Sequence, residues 1–138
     1  MKLFVDTNTL VSGVLYSGNE RVLLELGRLG LCELVTNDYV WSEVRDVLSR
    51  PHLALSPPEQ RGALAFLAQC VSIVADPSAV SVRAAKGRLN DAKDLPVLLG
   101  FEETGCDFLV TGDRRFRGPV PHSMTTKAAL RKILENVG

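Results

Sequence analysis

Two apolar runs of strand character stop abruptly at an aspartate. They are Leu3-Phe4-Val5-Asp6-Thr7-Asn8 near the start and Val110-Thr111-Gly112-Asp113 near the end. Between them, short β-type runs alternate with stretches whose apolar residues recur at helical spacing. Alternation of this kind demands a mostly parallel sheet covered on both faces. In such sheets ligands bind at the carboxyl ends of strands. Two strands ending in Asp therefore place two carboxylates at one crevice, an oxygen-rich setting suited to a hard cation.

Strands are expected at 2–5, 33–36, 71–74, 107–111 and, short and at an edge because of its prolines, 119–123. The first helical stripe is Val22, Leu23, Leu26 and Leu29, closed by Gly30. Thr36 or Asn37 caps a second helix with Val40, Val44, Val47 and Leu48, which Pro51 stops. Ser56-Pro57-Pro58-Glu59 has the layout of a capping box with proline at the first helical position. That helix carries Leu64, Leu67 and Ala68. After a basic stretch (Arg83, Lys86, Arg88, Lys93), a helix is expected from about 94 to 104, ended by Gly105. Thr125 or Thr126 caps the last helix, with Leu130, Ile133, Leu134 and Val137 as its stripe. The expected fold is a three-layer α/β/α sandwich with about five strands, in one domain spanning 1–138.

Composition narrows the function classes. The chain has 138 residues, 46% apolar and 23% charged, with zero formal net charge. That excludes a disordered chain and gives no strongly basic surface for nucleic acid, though a local patch remains open. No apolar run approaches the roughly 18 residues of a membrane helix. The N-terminus enters a strand at once, without a signal-peptide layout. Cys32, Cys70 and Cys106 are odd in number and none lies in a C-x-x-C pair, so they read as buried reduced thiols of a cytoplasmic protein.

Each acid near the expected crevice also has an ordinary reading. Asp6 suits a helix N-cap and Asp113 a turn. Glu43 lies in the second turn of a helix that starts at the carboxyl edge of the sheet, beside Val40 and Val47. Asp91 and Asp94 both suit a helix start, where an acid meets the dipole, and spacing alone does not choose between them. His52 and His122 sit by prolines in loops, and no Ser-His-Asp arrangement is suggested. Trp41 reads as a core or partner-helix contact. Arg114, Arg115 and Arg117 directly follow Asp113; they form a solvated run or, beside carboxylates, a phosphate-binding one.

Taken together, Val5-Asp6-Thr7-Asn8, Ser42-Glu43-Val44, the stretch from Asp91 to Leu98 and Leu109-Val110-Thr111-Gly112-Asp113 resemble the PIN domain family. The likeness is to compact bacterial and archaeal members that include VapC-type toxins, and it spans nearly the whole chain. The resemblance implies that Asp6, Glu43, Asp94 and Asp113 are the acidic quartet. Thr111 matches the supporting hydroxyl and Asn8 the polar residue beside the first acid, with Asp91 flanking. Four ionised carboxylates at one place need a cation or a proton between them. Mg²⁺ or Mn²⁺ would supply that charge and activate a water for attack on phosphorus.

The implied activity is a metal-dependent endoribonuclease, the toxin of a toxin–antitoxin pair. An RNA substrate, an antitoxin encoded elsewhere and a homodimer go with it, and the apolar character around Trp41 and Leu53-Ala54-Leu55 adds to the expectation of a dimer. The chain also departs from the family pattern. Arg115 and Phe116 stand where many relatives carry a further acid, and Phe101 where a small residue is common. Two alternatives stand beside this reading. One is a degenerate PIN domain that only binds RNA or protein. The other is a haloacid-dehalogenase-type phosphatase, disfavoured because Asn8 stands where its general acid belongs.

Overall fold

β1, Lys2–Val5, buries Leu3, Phe4 and Val5 completely. A strand hidden on both faces belongs at the middle of a parallel sheet. The computed structural model, which describes residues 1–137, places it there. The other strands are β2 (Glu33–Asn37), β3 (Val71–Val74), β4 (Phe108–Val110) and β5 (Ser123–Met124). All pair in parallel, in the order β3-β2-β1-β4-β5, with helices on both sides. The chain steps outward from β1 to β2 and β3, then returns to lay β4 on the other side of β1. That reversal between β1 and β4 is where a crevice opens in such sheets. Register matters here: Val5 pairs with Val110, so the residues that follow them, Asp6 and Thr111, emerge side by side.

α1, Thr7–Leu15, springs straight from β1 and was not foreseen from its weak stripe. α2, Asn19–Arg28, lies beside it but rotated from the expected phase. It buries Leu23 and Leu24 while Val22 and Leu29 face outward. α3, Asp38–Leu48, buries Val40, Val44 and Leu48 as its stripe predicts, and Asn37 is its cap. A 3-10 turn, Pro51–Leu53, then leads to α4, Pro57–Cys70, whose start is the expected Ser56–Glu59 capping box. Ala68 of that helix is exposed. A short helix in the basic stretch, α5 (Ala79–Ala84), was also unforeseen.

A 3-10 turn, Ala92–Asp94, runs into α6, Leu95–Glu103, which presses onto the sheet at Gly100. A Cβ there would lie 2.8 Å from Phe4 Cζ and 2.5 Å from Asn37 Nδ2. The small residue is thus Gly100, beside a buried Phe101. α7, Arg114–Arg117, follows β4. The strand expected at 119–123 begins only at Ser123, because the Val120 amide bonds back to Phe116 O and Pro119 and Pro121 have no amide to donate. Thr125 caps α8, Thr126–Val137, which buries Ala129, Leu130 and Ile133 but leaves Leu134 and Val137 exposed. Cys32 and Cys70 are buried and Cys106 half-buried, all three as free thiols. Among the described residues no helix is long and apolar enough to cross a membrane.

Candidate active site

Asp6 ends β1 and is only 6% exposed. Its Oδ1 accepts from the Thr9 amide at 3.0 Å, which makes it the N-cap of α1. Its Oδ2 accepts from Thr111 Oγ1 at 2.5 Å. The capping and crevice readings of Asp6 therefore both hold. Burial pushes its carboxyl pKa up; the bonds from Thr111 and Thr9 pull the other way, and the charge of Asp113 adds to the rise. Thr111, fully buried, also accepts from the Asp113 amide at 3.0 Å. One hydroxyl thus bonds the Asp6 side chain and the Asp113 backbone.

Glu43 projects from the second turn of α3, half-buried, and its Oε1 accepts from Thr7 Oγ1 at 3.1 Å. Asp94 sits where the 3-10 turn meets α6. It makes no side-chain cap bond, whereas Asp91 accepts from the Lys93 amide at 3.0 Å. Structure thus separates the two: Asp91 is the cap, and Asp94 has no capping role. Two side chains of α3's first residues brace that junction. Asn37 Oδ1 caps α3 at the Val40 amide, and its Nδ2 donates to Pro96 O at 3.0 Å. Tyr39 Oη donates to Lys93 O at 2.9 Å. The helices bearing Glu43 and Asp94 are thereby tied together. Asn8 is exposed at the crevice and makes no side-chain hydrogen bond among the described residues.

Asp6, Glu43, Asp94 and Asp113 all line one crevice of about 200 Å³, with Thr7, Arg50 and Arg115. A wider recess of about 670 Å³ lies at the other end of the strands, by Lys2, Glu33 and Val71, away from these acids. Arg50 was not anticipated. It lies just beyond the end of α3, with extended backbone, and its Nη2 stands 3.4 Å from Asp46 Oδ2.

Arg115 lies over the acids of the crevice. Its Nε lies 3.0 Å and its Nη2 2.7 Å from Asp113 Oδ2, while Nη1 lies 3.4 Å from Asp94 Oδ2 and 3.6 Å from Asp91 Oδ2. The guanidinium holds the Asp113 carboxyl below the usual carboxylate range. Asp94 is pushed up by burial, against the pull of Arg115. Arg114 and Arg117 are exposed and make no ion pair among the described residues.

The donor chemistry suits a hard divalent ion: four carboxylates on one crevice. Yet among the described residues no three acid, His or Cys side chains converge closely enough to hold one. The expectation of a tightly gathered quartet is corrected to that extent. Each carboxylate instead takes a protein partner of its own: Asp6 has Thr111, Glu43 has Thr7, and Asp94 and Asp113 share Arg115. Like charges separate in this way when a protein cation stands between them.

A family model described as "PIN domain" matches residues 2–115. Among solved structures, PAE2754 from Pyrobaculum aerophilum is similar with a TM-score of 0.73 and 16% identity, over 98% of this chain and 96% of that one. VapBC2 from Rickettsia felis, bound to a DNA fragment from its promoter, is similar with a TM-score of 0.68 and 15% identity, over 91% and 97%. At such identities these likenesses speak for the fold. No curated protein sequence is significantly similar to this one.

Proposed function

The chain belongs to the PIN domain family, and from that premise we propose that it is a metal-dependent endoribonuclease, the toxin component of a toxin–antitoxin pair. Membership supports a hydrolase acting on nucleic acid and removes the dehalogenase-type alternative. The observation that carries the reading further is the meeting of Asp6, Glu43, Asp94 and Asp113, from four separate elements, on one crevice at the switch point of the sheet. The donors offered to Mg²⁺ or Mn²⁺ are Asp6, Glu43, Asp94 and Asp113, which would have to draw closer than they now stand to hold it. Such an ion supplies an activated water and offsets the charge that builds on the phosphate. Thr111 fixes Asp6 and Asp113 relative to each other, and Thr7 orients Glu43. Asn8 sits at the mouth, where a polar side chain meets substrate. Arg114 and Arg117, exposed beside the crevice, are the cations available to RNA phosphates.

The antitoxin proposal is supported by the likeness to VapBC2. Homodimerisation is proposed on the family's habit and on symmetric pairs being the commonest oligomers. Sedimentation showing only monomer at tens of micromolar protein would sink it. A cytoplasmic site of action goes with an RNA target.

The test is Mn²⁺-dependent cleavage of a mixed RNA pool, with Asp94→Asn and Asp91→Asn beside the parent. Asp94 makes no cap bond, so Asp94→Asn leaves the fold intact while cleavage collapses. Asp91→Asn keeps its cap, since Asn and Asp cap about equally, and cleaves within a few-fold of the parent. Normal cleavage by Asp94→Asn would refute nuclease chemistry at this crevice. One observation, Arg115 standing among the acids, favours a second reading as a binding module without catalysis. An inert parent in the same assay would select it.

A further inference from the structure

The acids of the crevice are not equivalent. Asp6 and Glu43 are bonded by threonine hydroxyls, which carry no charge. Asp94 and Asp113 share a full positive charge, the Arg115 guanidinium, and Asp91 meets the same Nη1 as Asp94. With Asp113 this contact is a fork, Nη2 donating to Oδ2 at 2.7 Å and Nε shared between Oδ1 at 3.2 Å and Oδ2 at 3.0 Å, so that both carboxylate oxygens are engaged. The tether is short as well. Asp113 caps α7 by accepting from the Arg115 amide at 2.9 Å, so the backbone that carries the guanidinium is held against the carboxylate it pairs with. The effective concentration of this cation at the site is correspondingly high.

The side chain is nevertheless 61% exposed. Among the described residues only carboxylates hold its charged end, and solvent is open to it. Nothing steric keeps it in place, and a phosphate oxygen offers a guanidinium the same forked contact.

We propose that Arg115 is a built-in counter-cation that competes with the divalent ion for the Asp94–Asp113 side of the crevice. The proposal rests on the metal-dependent reading above and specifies how that site is loaded. A divalent ion held by Asp94 and Asp113 would meet the charge of the guanidinium at close range, and the two cations would compete for these carboxylates. Arg115 then swings into solvent, on the side from which RNA approaches, where a backbone phosphate can take it. Metal and RNA are thereby coupled: a strand that draws Arg115 away frees the carboxylates, and a loaded ion frees Arg115 for the strand. Such coupling is reciprocal by linkage.

The experiment is calorimetric titration of the full chain with Mn²⁺, parent against Arg115→Gln, with thermal melts of both proteins with and without Mn²⁺. Gln has a helix propensity close to that of Arg, and the position is exposed, so the fold is kept. Arg115→Gln is expected to bind Mn²⁺ roughly tenfold more tightly, the order that follows from removing one positive charge at partly screened range. Its metal-free melting temperature falls, because Asp113, Asp94 and Asp91 lose their common counter-charge. Its gain in melting temperature on adding Mn²⁺ exceeds that of the parent. Equal or weaker Mn²⁺ binding by Arg115→Gln overturns the competition while leaving the nuclease reading in place. Failure of both proteins to bind Mn²⁺ overturns the metal-dependent reading itself, and the competition with it.

Discussion

Replacing Thr111 by Val removes the hydroxyl that joins the first and last acids and changes little else in shape. In the parent that hydroxyl donates to Asp6 Oδ2 and accepts from the Asp113 amide. Asp6 is buried, so water does not readily replace the lost donor. A hydrogen bond to a charged group contributes about 1.5–3 kcal/mol, and the second, neutral bond about 0.5–1.5 kcal/mol. The Asp113 amide is only partly buried and recovers some of its share from solvent. The deficit of Thr111→Val at neutral pH is therefore expected at about 2–4 kcal/mol. Thr111→Ser keeps both bonds and loses one buried methyl, about 0.8 kcal/mol. Urea unfolding of the three proteins in metal-free buffer measures the difference. The deficit also has a pH signature. Thr111 favours ionised Asp6, so its contribution is full while Asp6 is charged and shrinks as pH falls through the folded pKa of Asp6, which burial raises. A Thr111→Val midpoint equal to that of Thr111→Ser, or a deficit that grows in acid, would refute the assignment of this hydroxyl.

Asp6→Asn should stabilise the metal-free protein at neutral pH. The folded pKa of Asp6 lies above its unfolded value, so stability is full below the unfolded pKa and is lost as pH rises through the folded one. Asn escapes that loss, and its advantage should vanish in acid; melts across pH that stay parallel would contradict it. Gly100→Ala gains helix propensity but drives a methyl against Phe4 and Asn37, for an expected net loss of about 1–3 kcal/mol by calorimetry; unchanged stability would show that α6 can lift without penalty. Arg114→Ala and Arg117→Ala should each weaken RNA binding similarly across sequences and flatten its dependence on salt; an unchanged salt slope for both returns them to a solvated surface.

The strands at the centre of the sheet and the start of α4 were legible because their signals are local. Leu3-Phe4-Val5 and Leu109-Val110 are unbroken apolar runs, and Ser56 and Glu59 satisfy each other across three residues. α1 was missed because its buried residues are Thr9, Leu10 and Gly13, two of them small or polar. The phase of α2 depends on its packing against α1 and the sheet, which no window on α2 reveals. β5 slipped because Val120 is buried yet spends its amide on Phe116. At the site, the acids were readable as positions, but of their partners only Thr111 was marked out, by resemblance. Thr7 meets Glu43 across 36 residues, and Arg115 meets Asp91 across the whole of α6 and β4. Asn37 looked like a cap and is one, but its second bond, to Pro96 O, exists only once α6 has docked.

The place of β1 in the sheet bears on the chain's synthesis. β1 is made before both of its neighbours, which come from residues 33–37 and 108–110. Until β4 arrives, one side of Leu3-Phe4-Val5 is an unpaired apolar edge, the kind of surface that invites aggregation or a chaperone. Over the same interval Asp6 lacks Thr111 and Asp113, which lie more than a hundred residues downstream. A nascent chain therefore carries an incomplete crevice until β4 and the residues after it have been made and have folded back onto β1.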